Sequence, residues 1–145
     1  MTIGKITDLF LCQGHRQPMV KVGQATVLED MGFEGDRHAR QGSSRQVLLM
    51  DMETLKEKTL LPGEIRENIT IEGIDLSKVT AGQVFFIGGE VTLEATGQCV
   101  PCYRLDEIRP GLRSDLDQKR GILATVLNGG VISIGDDVAL EPTDD

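Results

Sequence analysis

Two cysteines three positions apart, Cys99 and Cys102, form the most chemically capable pair in the chain, and Arg104 follows within two positions. Thiolate is both a nucleophile and a soft metal ligand, and nearby positive charge favours it. Four readings fit the pair. A structural zinc site would need two further ligands, and Cys12, His15 and His38 make no second Cys-x-x-Cys or His-x-x-x-His unit, so no zinc is expected. A thioredoxin-like redox pair belongs at a helix start in a βαβ pattern, whereas this pair comes late in a strand-rich chain. In the third reading both residues are small, half-buried hydrophobes without chemistry. The fourth, favoured by the neighbours, is one reactive thiol at Cys102, which follows Pro101 and lies nearest Arg104.

The elements around the pair follow from periodicity. Val91-Thr-Leu-Glu-Ala-Thr96 alternates with a period of two and reads as a half-buried strand, and Gly97 and Pro101 argue that no regular element continues through Cys99. The pair is therefore expected on a loop at the mouth of a sheet or barrel. Upstream, Val84 to Ile87, a Gly88-Gly89 turn and Val91 to Ala95 make the clearest hairpin. Ile3 to Leu11 is a first strand, Cys12 to Pro18 a break, and Val20 to Val22 and Ala25 to Leu28 are two short strands. His15 reads as an exposed loop residue, since no second histidine stands at ligand spacing. Arg45-Gln-Val-Leu-Leu-Met50 is a buried strand led by a charge at its rim, and Asp51 caps a short helix running to Lys58. Ile69 to Ile71 is the next strand, and Gly73 to Gly82 a loop. Beyond the cysteines, Leu105 to Ile108 and Leu112 to Lys119 offer two helical turns. Gly121 to Leu127, Val131 to Ile134 and Val138 to Leu140 close the sheet, and Glu141 to Asp145 form a loose tail. Some eight short strands with glycine turns describe a mainly β fold, a closed barrel carrying a few short helices.

Other polar clusters are open to two readings. Gly32-Phe-Glu-Gly-Asp-Arg-His38 is either a polar turn with a solvated charge pair or a backbone that approaches something closely, with Asp36 and His38 beside it. Arg66 and Asn68 are either surface residues or groups suited to a phosphate or a polar heterocycle at a strand entrance.

Whole-chain properties exclude several classes. With 145 residues, one domain over 1–145 is expected. A net charge of -8 and 3% aromatic residues leave nucleic-acid and anionic-membrane binding without their usual basis, so neither is expected. The N-terminus lacks the apolar core of a signal peptide and no run is long enough for a membrane span, so a cytoplasmic location is expected. Three cysteines is an odd number, unlike a disulfide framework.

Taken together the motifs resemble those of the MOSC domain, named after the C-terminal part of molybdenum cofactor sulfurases. Gly35-Asp36-Arg37-His38 is similar to the family's Gly-Asp-x-His segment, and Arg45-Gln46-Val47 to its Arg-Gln-Val strand. Pro62-Gly63, Glu67-Asn68-Ile69-Thr70 and Glu72-Gly73 follow in the family's order. Pro101-Cys102 falls where the family keeps its cysteine, and Arg120-Gly121, Gly129-Gly130 and Gly135-Asp136 match its closing strands. Ser44 stands where relatives often have a histidine. The resemblance implies a barrel like the β-domain of pyruvate kinase, with the cysteine loop, the Gly-Asp-x-His turn and the Arg/Asn strand ends converging on one mouth. It implies a module that binds molybdenum cofactor (molybdopterin), with molybdenum on Cys102, or that carries sulfur as a Cys102 persulfide, in cofactor metabolism or metal–sulfur cluster assembly. Arg45, Arg66, Asn68 and Arg104 would then position the cofactor, and Asp36 and His38 would orient ligands or shuttle a proton. A cysteine desulfurase or molybdenum cofactor enzymes would be sulfur donor or acceptor. The alternative it implies is a molybdenum-dependent reductase of N-hydroxylated compounds working with a separate reductase as electron donor.

Overall fold

A computed structural model describes residues 1–142. In chain order the elements are β1 (Thr2–Leu11), β2 (Val20–Val22), β3 (Gln24–Leu28), β4 (Gly32–Phe33), β5 (Val47–Asp51), α1 (Met52–Glu57), β6 (Ile69–Glu72), a 3-10 turn (Leu76–Lys78), β7 (Val84–Ile87), β8 (Val91–Gln98), α2 (Arg104–Ile108), α3 (Leu112–Asp115), β9 (Ile122–Asn128), β10 (Gly130–Ser133) and β11 (Asp137–Leu140). Seven strands pair in the order β11-β7-β8-β9-β5-β6-β1, and β1 pairs back to β11, which closes the barrel. β2 extends from the end of β1, while β10, β3 and β4 form a separate three-stranded sheet. The expected closed β-barrel with short helices is the fold observed.

All barrel pairings are antiparallel except β5 with β6. A parallel pair needs a crossover, and α1 supplies it. Asp51 ends β5 and caps α1, accepting from the backbone N–H of Thr54 at 3.0 Å and its hydroxyl at 2.6 Å. The interior is filled by the inward residues of the strands, among them Leu9, Leu49, Ile71, Phe85, Leu93 and Ile122. A second apolar cluster, Met50, Leu55, Leu60, Ile65, Leu105, Leu112 and Leu116, lies under the helices. It fixes α2 and α3 against the barrel, because a five-residue helix and a four-residue one have too little intrinsic stability to hold their place alone.

Several local expectations are corrected. Gly97 does not stop β8. The register shifts between Ala95 and Gly97, so Thr96 is the extra residue of a bulge and the strand runs on to Gln98. The buried strand expected from Arg45 begins at Val47, leaving Arg45 outside it. The helical turn expected to reach Lys119 ends at Asp115, and Gln118 takes a left-handed φ of 61° that a continuing helix forbids. The expected loop from Gly73 to Gly82 contains the 3-10 turn, capped by Asp75. Of the tail, Glu141 is pinned, its N–H donating to Val84 O at 2.9 Å and its carbonyl accepting from Gln83 Nε2 at 3.0 Å, while residues 143–145 lie outside the described residues.

Candidate functional site

The two cysteines of the pair part company. Cys99 is 6% exposed and its N–H donates to Gly121 O at 2.8 Å, continuing the β8–β9 ladder one step further. Cys102, three residues on, is exposed just ahead of α2 and accepts the N–H of Leu105 on its carbonyl. Cys12 is fully buried. Of the three cysteines, Cys102 is the exposed one, and Cys12 and Cys99 are buried.

Cys102 lines a cleft of about 580 Å³ whose walls include Arg16, Arg66, Arg104 and Arg120, with Phe10, Met19, Pro62, Ile65 and Ile108 as its apolar part. Each arginine arrives by a different route. Arg104 opens α2, and its Nη2 lies 3.1 Å from His15 Nε2. The Arg104 guanidinium, with the surrounding arginines, pushes the His15 pKa down, which favours the uncharged ring beside it. Arg16 pairs with Glu107 at 3.0 Å across the cleft. Arg66 straps the loop after β1: Nη1 donates to Gln17 O at 2.7 Å, and Nη2 to Cys12 Sγ at 3.1 Å and Gly14 O at 3.3 Å. Its backbone is left-handed at φ 69°, a conformation costing about 1 kcal/mol or more in a residue with a side chain. Gly63 precedes it at φ 86°, where a Cβ would sit 2.9 Å from the Phe10 ring, so only glycine lets the cleft wall pass there. Arg120, just before β9, is 8% exposed and its Nη2 donates to Ile65 O at 2.7 Å.

Of the residues singled out in the sequence, Cys102, Arg66 and Arg104 come together in this cleft. Asn68 does not join them. It is buried, its Oδ1 accepts from Leu48 N–H at 3.0 Å, and its Nδ2 donates to Phe10 O at 3.2 Å and Asp36 Oδ1 at 3.0 Å. An amide so committed has nothing left to hold a phosphate. Asp36 is likewise an internal brace: Oδ1 also accepts from Cys12 N–H, and Oδ2 from His38 N–H at 2.9 Å. Burial pushes its carboxyl up, but the hydrogen bonds from His38 and Cys12 outweigh that and hold it below the usual value. His38 is exposed, with Nδ1 3.4 Å from Asp36 Oδ2. His38 and Arg45 line a separate, smaller cleft with Arg37, Arg40 and Ser43, and neither lines the one holding Cys102.

Arg16 and Arg120 were not singled out as site residues by sequence reasoning. The available signal was Arg120-Gly121 at the head of an apolar strand, which reads equally as a rim charge. Behind Arg120 lies Glu67, fully buried, whose Oε2 accepts from the Thr70 hydroxyl at 2.9 Å. Burial pushes the Glu67 carboxyl up, against the opposing pull of Thr70 and the Arg120 charge. Glu67 Oε1 and Arg120 Nη1 are both sealed without a hydrogen-bond partner.

Comparison with known proteins agrees with this architecture. The structure superposes on the YuaD protein of Bacillus subtilis with a TM-score of 0.83 at 17% identity, covering 98% of this chain and 97% of that one. It superposes on YiiM of Geobacillus stearothermophilus with a TM-score of 0.77 at 18% identity (96% and 75% covered), and on YiiM of Escherichia coli with 0.72 at 19% (97% and 71%). These likenesses show the fold. No curated protein matches the sequence significantly. The family model of the MOSC domain matches residues 36–139, a span that takes in Cys102, Arg66, Arg104 and Arg120, and the chain therefore belongs to the MOSC domain family, which is linked to molybdenum cofactor-related proteins.

Proposed function

We propose that the protein handles molybdenum cofactor or its sulfur through Cys102, carrying a persulfide there or placing the thiolate on molybdenum. The observation that carries this reading is the exposure of Cys102 on the wall of the arginine-lined cleft while Cys12 and Cys99 are buried. Molybdopterin is an anionic, phosphate-bearing heterocycle, and the cleft offers it a suitable volume, guanidinium groups and a soft sulfur ligand. Arg66, Arg104 and Arg120 would hold its phosphate and pterin, and Cys102 its metal. When bound, the group would supply redox and sulfur chemistry at a soft-liganded metal. The chain's own part is to orient the ligand, to balance its charge and to keep one thiol in reach. Arg66 does the first indirectly as well, since its hydrogen bonds to Gly14 O and Gln17 O set the loop that carries Arg16.

The test is metal analysis, cyanolysis and intact mass on protein purified from a host supplied with molybdate. Molybdenum or a cyanide-labile sulfur is expected on the wild type and is expected to vanish in Cys102→Ser. Finding neither on the wild type in any preparation would overturn the reading.

A further inference from the structure

The charge of the cleft runs against that of the molecule. The chain carries a net -8, yet four arginines line this one depression. Its two carboxylates do not balance them: Glu107 is taken by Arg16, and Glu64 accepts from the Leu61 N–H at 2.7 Å. Among the described residues, Arg66, Arg104 and Arg120 make no ion pair. His15, 3.1 Å from Arg104, brings it no negative charge either. Arg120 lines the cleft at 8% exposure and has no carboxylate partner, its Nη2 given to Ile65 O and its Nη1 sealed from solvent without an acceptor. A guanidinium so far removed from water is costly unless negative charge is brought near it. Glu67 lies near enough to be felt but makes no hydrogen bond or ion pair to Arg120.

We propose that this cleft takes small anionic sulfane-sulfur donors of the thiosulfate class, the arginines gripping the sulfonate end while Cys102 receives the outer sulfur. The inference rests on the carrier reading of Cys102 and names the donor for it. A tetrahedral oxyanion suits guanidinium forks, and the same charges remove the repulsion that otherwise keeps a thiolate away from a dianion. The step balances without a further reagent. The Cys102 thiol gives its proton to solvent, the thiolate attacks the sulfane sulfur of thiosulfate, and a new sulfur–sulfur bond forms on Cys102. The sulfur–sulfur bond of thiosulfate breaks, and its electron pair leaves with sulfite, so the products are a Cys102 persulfide and sulfite.

The experiment follows sulfite release and the mass of the Cys102 peptide after adding thiosulfate to the full chain, with cysteine trisulfide, which carries no net charge at neutral pH, as a parallel donor. Attack of the Cys102 thiolate on the central sulfur of the trisulfide leaves that sulfur on Cys102 as a mixed trisulfide and releases one cysteine as thiolate. Thiosulfate is expected to load Cys102 with one sulfite released per persulfide formed, and sulfate is expected to compete. The ratio of the thiosulfate rate to the trisulfide rate is expected to fall roughly tenfold in Arg104→Gln and again in Arg120→Gln, with recovery in Arg120→Lys. Arg104 is partly exposed, so its variant remains informative if the Arg120 variants do not fold. Loading by the trisulfide but not by thiosulfate would overturn this inference and leave the carrier reading standing. Loading by neither overturns the carrier's persulfide form as well. Binding of inorganic phosphate with no sulfur transfer from thiosulfate would make the arginines a phosphate site only and would likewise overturn the proposal.

Discussion

Asp36 Oδ1 accepts a hydrogen bond from Asn68 Nδ2 at 3.0 Å, joining the turn after β4 to the head of β6 across 32 positions of sequence. The same oxygen takes the N–H of Cys12, so one carboxylate oxygen ties three segments around the mouth of the barrel. Removing it strands two buried donors. Asp36→Ala is expected to cost about 3 kcal/mol of unfolding free energy in urea titration, and Asn68→Ala a similar amount. A residue that only touched ligand would leave that titration unchanged.

Cys102 is expected to react first with an alkylating reagent, because attack goes through an accessible thiolate. Cys12 and Cys99 are buried, and their labelling waits on local opening. Timed alkylation read by peptide mass checks the order. Equal, slow labelling of all three would contradict it.

Arg66 separates a backbone effect from a side-chain effect. Arg66→Ala loses the hydrogen bonds to Gln17 O, Gly14 O and Cys12 Sγ and keeps the strained φ of 69°. Arg66→Gly loses the same bonds and relieves the strain, so it is expected to be the more stable of the two by about 1 kcal/mol. Both are expected to expose the loop from Cys12 to Pro18 to faster proteolysis than in the wild type. Identical stabilities for the two variants would show that the left-handed turn costs nothing.

Two buried carboxyls give opposite pH dependences. Glu67 is raised by burial, so the folded state holds its proton more tightly than the unfolded one. Its contribution to stability is whole below the ordinary value of 4.5 and is lost as pH rises through the raised folded value. Asp36 is lowered, so its contribution is present above 3.8 and is lost as pH falls through the lowered folded value. Urea unfolding as a function of pH is expected to show a loss above 4.5 that flattens in Glu67→Gln, whereas Asp36→Asn is expected to flatten the acid limb.

Leu105→Ala tests whether the apolar cluster under the helices positions the thiol. The side chain is 2% exposed, packed with Ile65, Leu112 and Leu116. A loss of about 2–4 kcal/mol is expected, together with a changed Cys102 alkylation rate, since α2 directly follows that thiol.

Much of this was legible in the chain itself. The period of two in Val91 to Thr96, the Gly88-Gly89 turn and the capping Asp51 are local features, decided by backbone dihedrals and by neighbours a few residues away, and the order of motifs pointed to the barrel and its family. Local patterns do not say what a buried polar group will touch. Whether Asn68 faces a ligand or the backbone of Leu48 and Phe10 depends on the register of β1, β5 and β6, set by strands far apart in sequence. Likewise the bulge at Thr96 arises from pairing with β9, which the glycine after it does not reveal. Only the closed barrel sends Cys99 inward and Cys102 outward, carries Arg45 to another cleft, and brings Arg16 and Arg120 from opposite ends of the chain to the same thiol. The physical reason is that a donor's partner is whatever acceptor lies within about 3 Å of it, and in a barrel closed by its first and last strands that acceptor is supplied by the tertiary fold.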